Sequence, residues 1–68
     1  MKYKQLEAYA KEQGYTREEF AEGVGLSYQA LGKRINGQTE FELKEVRKII
    51  EFLNLTLEQV RIYFNLFF

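Results

Sequence analysis

The chain has no cysteine, no histidine and no aspartate. Without cysteine there is neither a disulfide nor a thiolate metal site. Without histidine there is no imidazole base, and most zinc sites and the Ser-His-Asp constellation go with it. Acid–base chemistry is left to glutamate and lysine, and most of the glutamates, the single serine and the threonines have helix-capping or solvent-facing explanations. No enzyme, no cofactor, no metal and no small-molecule ligand is therefore expected. No stretch approaches the ~20 apolar residues of a membrane span, and no basic-then-apolar leader opens the chain. A soluble intracellular protein without a membrane partner is the expectation. At 68 residues there is room for one domain, spanning 1–68. So short a chain buries only about 60% of its unfolded surface, which makes its stability modest and a dimer useful.

The most structured signal is the run TREEFAEGVGLSYQALGKRING, residues 16–37. Thr16 is a good N-cap, and Glu19 sits three residues on, where its carboxylate can reach back to the cap N–H. Phe20, Ala21 and Val24 then form an apolar face over a helix at 17–24. Gly25 supplies the positive φ that ends it. Leu26 plugs a three-residue turn and Ser27 caps a second helix at 28–36, whose apolar face is Leu31 and Ile35. Gly37 ends that helix in turn. Gly23, inside the last turn of the first of these helices, costs up to ~1 kcal/mol against alanine. A close helix contact or a frayed end would each account for it. Two short capped helices about a glycine turn make a helix-turn-helix unit.

The run Phe20-Ala21-x-x-Val24-Gly25-Leu26-Ser27-x-x-x-Leu31, closed by Asn36-Gly37, resembles the DNA-binding helix-turn-helix of the phage Cro and repressor family, the xenobiotic-response-element-type regulators. The resemblance implies an all-α, five-helix, lambda-repressor-like domain with the motif in helices 2 and 3. It also implies a cytoplasmic setting in a bacterium or phage-infected host, and a second motif helix that enters the major groove of double-stranded DNA. At about 100° per residue from Leu31, Ile35 falls near 40°, Gln29 near 160° and Lys33 near 200°. Gln29 and Lys33 therefore stand opposite the core, one turn apart. Glutamine can pair with adenine N6/N7 and lysine can donate to guanine O6/N7. Tyr28, at the helix start, either touches a base or phosphate or packs on the helix before it. Gly32, bare in mid-helix, suggests a close approach to DNA.

By the same resemblance Asn36, Gln38 and Thr39 match positions that contact the phosphate backbone. The helix N-terminus at Thr16 and Arg17 forms a second clamp with Ser27, since helix N-termini attract anions. Arg17 stands where the family commonly has glutamine. Arg34 stands where its commonest form has an aliphatic residue, leaving that role to Ile35; it is a phosphate contact or a surface ion pair. The net charge is zero, which argues against DNA, yet residues 23–39 contain no acid while Lys33 and Arg34 lie among them.

Elsewhere, residues 3–13 have Leu6, Tyr9, Ala10 and Gln13 at helical spacing, and Tyr15 and Phe20 stand at hydrophobic-staple spacing. Residues 42–54 form the clearest amphipathic helix, with an apolar stripe of Leu43, Val46, Ile49, Ile50 and Leu53, and Phe41 inserts beside it. Thr56 and Gln59 open a fifth helix that presents Leu57, Val60, Tyr63 and Phe64. The apolar end, residues 62–68, folds over the core or meets its copy in a homodimer, with Tyr63, Leu66, Phe67 and Phe68 as the contacts. A dimer would hold two half-sites of a pseudo-palindromic operator one helical turn apart, about 34 Å. Two other functions fit the same fold: an antirepressor that sequesters another regulator, and an antitoxin-type module, for which the chain after the fifth helix offers little.

Overall fold

The computed structural model of the chain describes residues 1–65. These fold as five helices, α1 (Lys4–Glu12), α2 (Arg17–Gly23), α3 (Tyr28–Ile35), α4 (Leu43–Leu53) and α5 (Leu57–Tyr63), with no strand among the described residues. The fold is all-α, as the motif implied.

The helix starts follow from local chemistry. Thr16 Oγ1 accepts from the Glu19 N–H at 3.1 Å while the Thr16 N–H donates to Glu19 Oε1 at 2.9 Å, a complete capping box. Thr56 and Gln59 repeat it at the head of α5, at 3.2 and 2.9 Å. Ser27 Oγ accepts from the Ala30 N–H at 3.0 Å. The stops are equally local. At Gly25, with φ of 76°, the Leu26 N–H reaches the Ala21 carbonyl and the Gly25 N–H the Glu22 carbonyl, at 2.9 and 3.2 Å. At Gly37, with φ of 83°, the Gln38 and Gly37 N–H groups reach the Lys33 and Arg34 carbonyls in the same way, at 2.9 and 3.1 Å. Both are Schellman closures, and a residue with a Cβ would be strained at each glycine.

Leu6, Phe20, Val24, Leu31, Ile35 and Ile49 are fully buried and join α1 to α4 into one core. Leu53, Leu55, Val60 and Phe64 extend it to α5. Tyr3 closes the bottom, its ring 5.0 Å from Phe41 and 5.8 Å from Phe64. Tyr15 and Phe20, set at staple spacing, both pack on a third ring, Phe52 of α4, at 4.5 and 6.2 Å. Phe52 also explains Gly23: a Cβ there would overlap its ring. The glycine lets α4 approach α2. Gly23→Ala should therefore lower the melting temperature. Its gain in helix propensity, at most ~1 kcal/mol, is outweighed by ~1–3 kcal/mol of overpacking against a ring already held by two others. Thermal unfolding followed by circular dichroism checks this, and a raised melting temperature would contradict it.

The apolar faces of α4 and α5 depart from the expected stripes. Leu43 and Leu57 are each 68% exposed. Measured from Ile49 at about 100° per residue, Leu53 lies near +40° and Glu45 near −40°, whereas Leu43 lies near +120°. The buried sector of α4 thus centres between Leu53 and Glu45, and Glu45 is only 5% exposed. Leu57 is the first residue of α5, where a side chain tilted back towards the N-terminus passes beyond the core, and Leu55 fills the space inside. Gln13, at helical spacing with Leu6 and Ala10, is exposed.

Two internal ion pairs tie the motif to its scaffold. Arg17 Nε donates to Glu7 Oε2 at 2.6 Å, joining α2 to α1. Arg34 Nε donates to Glu45 Oε1 at 2.7 Å, joining α3 to α4. Among the described residues no buried side-chain polar atom lacks a hydrogen-bond partner.

Candidate nucleic-acid interface

The outer face of α3 is fixed by what lies behind it. Leu31 and Ile35 are both at 0% exposure, and with this side of the helix pinned, Gln29 and Lys33 are left exposed and share one face as an i, i+4 pair. Lys33 has no ion-pair partner among the described residues. Asn36 caps the helix end, and the N–H groups of Gln38 and Thr39 both fold back on the Lys33 carbonyl, at 2.9 and 3.4 Å. The exposed side chains of Asn36, Gln38 and Thr39 therefore follow directly on the last turn of α3.

The N-terminal end of α3 is built around Arg17. Its guanidinium carbon lies 5.8 Å from the Tyr28 ring centroid, and its other side is held by the Glu7 carboxylate. A Cβ on Gly32 would stand 3.3 Å from Arg17 Nη1. Gly32 thus has a reason within the protein itself: it leaves room for a guanidinium held between α1 and α3. Of the two roles open to Tyr28, the structure shows the packing, under a side chain of α2, and leaves the residue 48% exposed. Beside it opens a cleft of about 680 Å³ lined by Lys11, Thr16, Arg17, Glu18 and Tyr28.

Several expected backbone contacts carry other duties. The Thr16 N–H is spent on Glu19 and is not a free donor. Ser27 Oγ is occupied as an acceptor by its own helix, which leaves its hydroxyl hydrogen to give. Arg17 is 26% exposed and paired. Arg34 is turned inward: its side chain is 15% exposed, its Nε is on Glu45, and its Nη1 donates to the Ala30 carbonyl at 3.2 Å. Of the two roles open to Arg34, the structure shows the ion pair, and as a largely buried one. Of the expected dimer contacts, Tyr63 is half-buried with its ring 5.4 Å from Tyr9, and Leu66, Phe67 and Phe68 lie outside the described residues.

Residues the motif did not point to are Glu7 and Glu45. Each is an acid on the border of an apolar stripe, which is the one local sign of a buried charge with a distant partner. Burial opposes ionisation of Glu45, but hydrogen bonds from the Glu42 N–H and Arg34 and the charge of Arg34 outweigh it. They hold its carboxyl below its ordinary value of 4.5. The unfolded chain protonates first as pH falls, so this stabilisation is complete above about 4.5 and is lost as pH drops through the lower native value. The melting temperature of the parent should fall on acidification from about pH 6 to about pH 3, with Glu45→Gln showing a shallower fall. Parallel curves for the two would contradict it.

The helix-turn-helix family model matches residues 6–60, from within α1 into α5, with the capped pair at its centre. The chain belongs to the Cro/repressor-type helix-turn-helix family. No match was found among curated proteins or among solved structures. Helix-turn-helix domains of this family bind DNA, and DNA is the partner that the fold supports. Among the described residues no helix is long and apolar enough to cross a membrane, and no cluster of side chains is grouped to hold a metal ion.

Proposed function

We propose that this helix-turn-helix protein is a Cro-like transcriptional regulator that reads a pseudo-palindromic operator with α3. The observation that carries this is the outward pair Gln29 and Lys33 on a helix pinned from behind by two fully buried residues. A glutamine and a lysine four residues apart offer two successive base edges an amide and an ammonium. Tyr28, its ring braced by Arg17, meets the first base or its phosphate. Asn36, Gln38 and Thr39 lie on the backbone at one end of the helix, and the Ser27 and Thr16 hydroxyls at the other, with Arg17 held between Glu7 and the Tyr28 ring. Arg34, committed to Glu45, serves by fixing the angle of α3. Residues 1–68 act as one domain.

The protein acts as a homodimer. On α5 Leu57 is 68% and Ile62 46% exposed, and residues 66–68 are three further apolar residues. Removing residues 66–68 should lower both the dimer population in sedimentation and operator affinity; a fully dimeric truncate would refute this contact. The principal rival is an antirepressor that binds another regulator, favoured by the zero net charge. Duplex selection from a random pool, followed by titration at increasing salt, separates them. Binding through several phosphates weakens steeply with salt. Failure to enrich any duplex would overturn the DNA-reading role.

A further inference from the structure

The six residues that follow α3, numbers 36–41, contain no cation and one acid, Glu40. A positive charge reaches this segment from the other end of the sequence. The Tyr3 N–H donates to the Ile35 carbonyl at 3.0 Å, which ties the N-terminal segment to the last turn of α3. The buried Tyr3 ring, edge-on to Phe41, anchors it there. Lys2 then crosses Gly37 so closely that a Cβ on that glycine would stand 3.1 Å from both Cβ and Cδ of the lysine. Its ammonium ends 3.2 Å from Glu40 Oε1, and the two side chains are 45% and 78% exposed.

From this placement we infer that Lys2 is a phosphate contact supplied to the recognition loop from the N-terminus, positioned by the Tyr3 tie and occupied by Glu40 until a phosphate displaces it. The inference rests on the DNA-reading role of α3 given above. An exposed ion pair of this kind is worth little and is screened by salt, so a phosphate oxygen can take the place of Glu40 at small cost. The hydrogen bond to Glu40 raises the pKa of Lys2 above its ordinary value, so the ammonium is charged throughout the neutral range. The backbone tie at Tyr3 sets the position of the lysine, which makes it part of the same surface as Gln38 and Thr39 rather than a loose tail. Glu40 acts against binding, since it occupies the ammonium and repels the backbone.

The test is equilibrium titration of a selected duplex and a scrambled one over a range of salt, with the full chain and with Lys2→Gln, Lys2→Arg, Glu40→Gln and, as a control, Lys48→Gln. Lys2→Gln should reduce the slope of log K against log salt by about 0.9, equally on both duplexes. Lys2→Arg should restore the slope, and Glu40→Gln should tighten both duplexes. Lys48→Gln should leave the slope at the parent value. A parental slope for Lys2→Gln, a loss confined to the selected duplex, or no gain from Glu40→Gln would overturn the inference while leaving the role of α3 intact. If the parent binds no duplex in a salt-dependent way, both fall together.

Discussion

Replacing Gln29 and Lys33 together by alanine is expected to abolish discrimination between the selected operator and a scrambled duplex. Each good side chain–base pair contributes roughly 1–3 kcal/mol of discrimination. Losing two lowers specific affinity by about 30- to 20,000-fold, at roughly tenfold per 1.4 kcal/mol. Affinity for scrambled DNA should fall far less, because the backbone contacts proposed for Asn36, Gln38 and Thr39 are untouched. Both side chains are exposed, so the melting temperature should hold and the loss cannot be ascribed to unfolding. Competition titrations of the two duplexes check it. A double variant that still prefers the operator as strongly as the parent would remove α3 as the reading element.

The second large effect is on stability. Arg34→Ala should destabilise the protein by about 3–5 kcal/mol, because it leaves the Glu45 carboxylate buried without its partner. Domains of this size commonly have only ~0.05–0.15 kcal/mol of stability per residue, so much of the variant should be unfolded near body temperature. Arg34→Met combined with Glu45→Gln should recover most of the loss. A glutamine can still accept the Glu42 N–H, and no charge is left alone. Urea unfolding with an unchanged slope and a lowered midpoint is the expected signature for the single variant. Were Arg34 a phosphate contact instead, the single variant would keep its midpoint and lose DNA affinity.

How far this could be seen beforehand depends on the range of each interaction. The Thr16–Glu19 and Thr56–Gln59 boxes, the Ser27 cap and the Gly25 and Gly37 stops are all made within five residues, so sequence spacing alone displays them. The outward placement of Gln29 and Lys33 was legible for the same reason, as it follows from Leu31 and Ile35 on one helix. The contacts that escaped are long-range. Arg17 meets Glu7 ten residues away, Arg34 meets Glu45 eleven away, and Gly23 makes room for Phe52 of another helix. No periodicity reports which acid will turn inward to meet an arginine. Gly32 is instructive here: the missing side chain was visible, but the neighbour needing the space, Arg17, was not. The expected stripe on α4 went wrong at Leu43 because a buried ion pair at Glu45 turns the helix away from its purely apolar sector.

The central claim is that the exposed side of α3 is the surface that meets DNA. Amide chemical-shift mapping of the full chain titrated with its selected duplex tests this directly. The largest changes should fall on Tyr28, Gln29 and Lys33, continuing through Gln38 and Thr39. Changes confined to α4 and α5, with those residues unmoved, would contradict it.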